Sequence, residues 1–145
     1  MYKKKQFLKL EKKYSTYQES GTVGTMMEIC HKKLEDNKYL KKLKKNCKVL
    51  EIGAGSSPHL KYVKHEFGKY FFLENSKFAI DFLKKKFNDK KNFEFNSYNG
   101  KKIPFKNNYF DRIIISHVLE HIADPEFFLE EMMTKLKKNG ILSIA

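Results

Sequence analysis

Val49-Leu50-Glu51-Ile52-Gly53-Ala54-Gly55-Ser56 is the stretch whose reading decides the fold. A short, mostly apolar run reads as a buried strand, and the glycines close it with a sharp turn. Small residues there let a ligand approach the backbone. Pro58 suits the first turn of a helix, Ser57 is its expected N-cap, and helix is expected to about Phe67. Strand, glycine loop and helix N-terminus together form a ligand-binding arrangement.

The alternation continues downstream. Tyr70-Phe71-Phe72-Leu73 is a second strand, followed by Glu74-Asn75-Ser76 and a helix through Phe78, Ile80, Leu83 and Phe87. Phe93-Glu94-Phe95 is a third, and Arg112-Ile113-Ile114-Ile115-Ser116 reads as a fully apolar fourth. Pro125 to Lys138 has helical spacing and is expected to stop at Asn139-Gly140, before a fifth strand over Ile141-Leu142-Ser143-Ile144. Buried-type strands alternating with helices predict an α/β fold with a parallel sheet.

Upstream, the pattern is helical. A loop around Tyr14–Gly21 separates a short basic helix from a longer one carrying Met26, Met27, Ile29, Cys30 and Leu34, then Tyr39, Leu40 and Leu43. Residues 1–46 read as an N-terminal helical cap and 47–145 as the core. Tyr14 and Tyr17 are candidates for a lid or for helix packing.

The 145-residue chain carries 30 Lys+Arg against 17 Asp+Glu, a net +13. Only one of those cations, Arg112, is an arginine. Bidentate reading of phosphates and guanines favours arginine, so nucleic acid is not the favoured partner. Lysines gather at 41–45, 84–86 and 135–138, where helices end. There they complement helix dipoles on a solvated surface. No apolar run can span a bilayer, and the basic start Met1–Leu10 lacks the apolar core of a secretory signal. Cys30 and Cys47 are too few for a disulfide scaffold, so free thiols and a cytoplasmic location are expected.

An NAD fingerprint would place a third small residue where Pro58 stands, and a P-loop would need Gly-Lys-Ser/Thr. Glu74, about 20 positions beyond the loop, sits where an acid accepts from ribose hydroxyls. The ligand read here bears a nucleoside but places no pyrophosphate on the loop.

Val49–Ser56 resembles motif I of class I S-adenosylmethionine-dependent methyltransferases, and Ile103–Ile122 resembles the type 11 branch. Phe128–Glu131 and Leu136–Leu142 resemble the family's helix leading into strand five. The resemblance implies a Rossmann-like, mostly parallel sheet ordered 3-2-1-4-5, flanked by helices. It implies that Gly53, Ala54 and Gly55 line the methionine part of S-adenosyl-L-methionine, that Glu51 fixes its amino group and that Glu74 holds the ribose. Asn99 falls where the family places an Asp beside the adenine, and Ser116 and His117 match the pocket floor. The family sheet has seven strands, ordered 3-2-1-4-5-7-6. A truncated product is therefore expected, one that self-associates through a strand-five edge carrying Ile141, Leu142 and Ile144.

His117-Val118-Leu119-Glu120-His121 also fits H-x-x-E-H. Read as a helix it would put both histidines on one face, but its context is a strand end, and no metal is expected. His117 is the candidate catalytic base, as imidazole can act near neutral pH. His121 is expected to be structural, and His59 and His65 to lie on the surface. The expected function is methyl transfer to a small-molecule acceptor. The alternatives are a non-catalytic nucleoside-binding or interaction module, or an RNA-directed methyltransferase.

Overall fold

The computed structural model describes residues 21–57, 59–87 and 90–145. The expected basic first helix, the lid tyrosines and Pro58 lie outside these residues. Helix α1 (Gly21–Glu35) and a 3-10 turn (Lys38–Lys42) lead into β1 (Lys48–Ile52). Then come β2 (Lys69–Glu74), α2 (Lys77–Lys86), β3 (Phe93–Ser97), β4 (Phe110–Ile115), α3 (Pro125–Lys135) and β5 (Leu136–Ile144). The strands form a single sheet ordered β3-β2-β1-β4-β5. Every pairing in it is parallel, with Ile52 beside Leu73 and Ile115.

Strand residues alternate between faces, so each strand feeds two cores. One joins Leu50, Ile52, Phe71, Leu73, Ile113 and Ile115 to Phe128 and Met132 of α3. The other contains Val49, Tyr70, Phe72 and Ile114, with Leu83 of α2. Both later helices are capped by a side chain at the N-terminus. The Ser76 hydroxyl accepts from the Ala79 amide at 3.4 Å, and Asp124 Oδ1 from the Phe127 amide at 3.0 Å.

Several expectations are corrected. No helix fills the stretch after the glycine loop; a single 3-10 turn, Leu60–Tyr62, stands there. Helix α3 ends at Lys135, and the next residue already opens β5. Pairing outcompetes helix extension at this point: Leu136 is buried beside Phe110, and Lys137 Nζ lies 2.8 Å from an Asp111 carboxylate oxygen. Asn139, at φ 66°, therefore sits inside the strand rather than capping the helix. In α1, Met26 (62% exposed) and Ile29 (47%) face outward, while His31 and Glu35 are buried. The strand expected to be apolar carries Arg112 at 0% exposure.

Candidate functional site

In an open parallel sheet, ligands bind beyond the strand carboxyl ends where the strand order reverses. Here that crevice lies between β1 and β4, and the residues after both strands meet in it. Gly53 (φ 67°) donates its amide to Leu73 O at 2.9 Å. A Cβ on Gly53 would stand 2.3 Å from a Val118 methyl, so close packing against the β4 exit requires glycine. Gly55 (φ 52°) has nothing within 4 Å of a notional Cβ, which leaves the tip of the loop open on that side. Ala54 is buried beneath it and accepts from the Ser57 amide at 2.6 Å.

Glu74, at the end of β2, is buried and takes the Gly55 amide on Oε1. Burial raises its pKa, opposed by the Gly55, Asn75 and Ser76 amides. The acid thus fixes the tip of the loop. Glu51 lies on the same side of the sheet as Arg112, fully buried, and accepts from the Tyr70 hydroxyl at 2.7 Å. Burial pushes its pKa up to about 7, against the pull of His59 and the Tyr70 hydrogen bond. Asn99 is exposed after β3, and its Oδ1 accepts from the Lys101 and Lys102 amides at 3.0 and 3.3 Å.

Beyond β4, His117 adopts φ 54°, a left-handed conformation uncommon for a non-glycine residue. Its amide donates to Ala145 O at 2.8 Å, which holds the exit of β4 against the end of β5. His117 Nε2, Ser116 Oγ and Ser57 Oγ are buried without hydrogen-bond partners. All three belong to the loops at the sheet's carboxyl edge, where a bound ligand or water can satisfy them. His117 and His121 do not share a helix face, because the segment is only a 3-10 turn, Leu119–His121, and His121 is exposed. Among the described residues no group of three or more His, Cys, Asp or Glu is arranged to hold a metal. None of their helices is long and apolar enough to cross a membrane.

A cluster that the sequence reading missed adjoins the crevice. His59 is buried, not on the surface, with Nε2 2.8 Å from Glu35 Oε1. Arg112 Nη2 donates to the same Glu35 oxygen at 2.6 Å, its Nε to Ser143 Oγ at 3.1 Å, and its Nη1 lies 3.0 Å from His65 Nε2. His65 is half-buried and engaged, where a surface position was expected. His31 brings its ring edge-on to His117, centroids 5.9 Å apart, and stacks on Tyr62 at 5.5 Å. Two signals could have exposed this cluster. His31 and Glu35 are one helical turn apart, and Arg112 is the lone arginine in a lysine-rich chain.

A family profile described as a methyltransferase domain matches residues 50–144, more than half of the chain. A ubiquinone biosynthesis O-methyltransferase of Pelagibacter ubique (strain HTCC1062) is 32% identical over 118 residues, spanning 70% of this chain. This chain covers 42% of that relative's length. Among solved structures, a SAM-dependent methyltransferase from Aquifex aeolicus superposes with a TM-score of 0.61 at 26% identity. That match covers 79% of this chain and 69% of the other. The trans-methyltransferase CalH, in complex with SAH, superposes at 0.66 and 23% identity over 93% of this chain and 38% of its own.

Proposed function

The chain belongs to the methyltransferase-domain family, and on that premise we propose that it takes part in methyl transfer from S-adenosylmethionine to an oxygen of a small-molecule acceptor. One observation carries the reading. The glycine loop after β1, the acid ending β2 and the orphaned Ser116 and His117 after β4 converge at the point where the strand order reverses. The acceptor atom is supported by the printed activity of the curated relative, an O-methyltransferase.

The residues present suit this cofactor. The open side of Gly55 admits a ligand against the backbone, and Glu74 supplies an acid where ribose hydroxyls would donate. Gly53, Ala54 and Gly55 would line the methionine portion, with Glu51 near its amino group. Asn99 would face the adenine with its amide NH2, since its oxygen is committed to the turn. When bound, S-adenosylmethionine supplies a methyl group already activated on a sulfonium. What remains for the protein is to align the acceptor, exclude water and receive the acceptor's proton. In this reading the helical cap expected over residues 1–46 includes α1, whose His31 lies beside His117 at the crevice.

Calorimetry with S-adenosylmethionine, NAD and ATP tests the cofactor. Binding of the first alone is expected. Glu74→Ala should weaken that binding by about 1.5–3 kcal/mol, the worth of hydrogen bonds to a charged group. Unchanged affinity in a folded variant would take Glu74 out of the site, and NAD binding without S-adenosylmethionine binding would end the reading.

A further inference from the structure

A sheet in which every pairing is parallel has all its strand starts on one edge, and here each start is basic. Lys48 opens β1 beside Lys69, which opens β2. Lys90 and Lys91 precede β3, Lys106 precedes β4, and Lys137 and Lys138 follow the first residue of β5. Helix α1 descends to the same edge. His31 stands by His117 at the exit of β4, Glu35 by Arg112 near its start, and Leu43 packs in the cluster of Cys47 and Val49. The turn Lys38–Lys42 is thereby delivered beside the strand starts. Residues 38–48 hold six lysines and no acid. The opposite edge, where the crevice lies, is balanced. Residues 53–59 and 116–124 include no lysine, and Glu74, Glu120 and Asp124 are matched by Lys77, Lys101 and Lys102.

Acids at the basic edge offset only part of this charge. Lys45 pairs with Glu66 at 3.0 Å, Lys69 with Glu94, and Lys137 with Asp111 at 2.8 Å. Among the described residues, Lys38, Lys41, Lys42, Lys44, Lys106 and Lys138 are exposed and form no ion pair. Crowded like charges repel, a cost that a bound polyanion would offset. Tyr39 stands among them, 51% exposed, with Lys38 Nζ and Lys42 Nζ at 5.3 and 5.4 Å from its ring centre. We propose that this edge holds a single-stranded nucleic acid, with phosphates on the lysines and a base stacked on Tyr39.

Lysine holds a phosphate as a point charge, so the scarcity of arginine limits the reading of bases and not the holding of a backbone. An exposed ring amid cations is the arrangement that takes single strands, since every base offers a face to stack. A duplex keeps its bases stacked inside and has none to lay on Tyr39. A lipid surface would ask for apolar side chains to insert at this edge. The exposed apolar residues of α1, Val23, Met26 and Ile29, lie instead on the crevice side of His31. The strand is not the methyl acceptor. The five residues of β1 separate this edge from the glycine loop, roughly 16 Å at 3.3 Å per residue, so the crevice stays open when the edge is occupied. The proposal stands apart from the methyl-transfer reading.

The test is fluorescence anisotropy of the full chain with a labelled oligouridine of about 20 nucleotides, from about 50 to 200 mM salt. Affinity should fall with a log–log slope of about −0.7 for each phosphate held. Replacing Lys41, Lys42 and Lys44 together by Gln should flatten that slope by about 2 and weaken binding at low salt. The matched replacement of Lys77, Lys101 and Lys102 by Gln, at the crevice edge, should leave both nearly unchanged. Tyr39→Ala should weaken binding about 5–150-fold, the worth of one stacked base, while Tyr39→Phe, which keeps the ring, should bind as the wild type does. Saturating S-adenosylmethionine should not displace the strand. No binding at low salt, equal losses in the two lysine triples, or full affinity in Tyr39→Ala overturns the proposal. So does displacement by S-adenosylmethionine, which would put the strand in the crevice. Lysine-dependent binding to phosphatidylserine vesicles by a protein that ignores oligouridine would overturn it in favour of a lipid surface.

Discussion

Alternate residues of the same strands build the two faces of this sheet, yet the faces differ in chemistry. Beneath α3 the side chains are Leu50, Ile52, Phe71, Ile113 and Ile115, a core held by burial alone. On the opposite face, Glu51, Tyr70, Arg112 and Ser143 stand among apolar neighbours, and α1 answers them with His31 and Glu35. The apolar face is tolerant in principle, since any well-packed hydrophobe of similar volume can hold it. The polar face is specific. A buried carboxylate and guanidinium are costly to desolvate and stable only as partners. The protein has therefore placed its strictest geometric requirement on the face where α1 meets the exit of β4.

Arg112→Ala should cut deepest, leaving Glu35 buried and uncompensated at about 3–5 kcal/mol by urea unfolding at pH 7. Joint replacement, Glu35→Leu with Arg112→Met, should recover most of that loss. A cost under about 1 kcal/mol for Arg112→Ala would mean that the pair contributes no specificity. Phe128→Ala, on the apolar face, should cost a similar amount, about 3–5 kcal/mol, but leave the pH dependence of stability unchanged.

That pH dependence separates the two buried acids of the polar face. Glu35 has its folded pKa depressed to about 2 from an ordinary 4.5. Its contribution is present above 4.5 and fades as pH falls through 2. Glu51 runs the other way, raised to about 7. Between 4.5 and 7 the folded state holds a proton that the unfolded chain has released, so stability declines as pH rises across that window. Glu51→Gln should remove the decline and stabilise the protein at pH 7 by up to about 3 kcal/mol, because an amide oxygen can still accept from Tyr70. A variant no more stable than the wild type at pH 7 would place the Glu51 charge at no cost in the fold. The smallest effect belongs to the exposed side of α1. Met26→Lys should change stability by no more than about 0.5 kcal/mol, and a larger loss in thermal unfolding would show that this side is covered.

The backbone plan was legible because it rests on local signals. A strand ending in Gly53-Ala54-Gly55 and four more strand-like runs predicted a parallel sheet, and the resemblance to the methyltransferase family implied its order. Glu74 and the β4 exit could be placed because each is tied to a strand end. The boundary at Lys135–Leu136 was misread, since Asn139-Gly140 signals a helix stop while the β4–β5 pairing that overrides it is not local. Ser57 was expected to cap a helix that does not form; it instead adopts φ 58° in the loop.

The cluster around His31 shows where the linear order gives out. Sequence spacing put His31 and Glu35 on one side of a helix, but the apolar residues Met26 and Ile29 competed for the buried role. Hydrophobicity favours burying the methionine, and only Arg112 and His59, reaching across the fold, make the polar side the one to bury. Periodicity and turn chemistry are properties of neighbours in the chain, so the sequence by itself determined the five strands, the parallel sheet and the glycine loop. Which charges are paired, which histidines are buried and which face of α1 turns inward depend on partners tens of residues away. Those were decided by tertiary structure, because a buried charge is stable only where its counter-charge also lies.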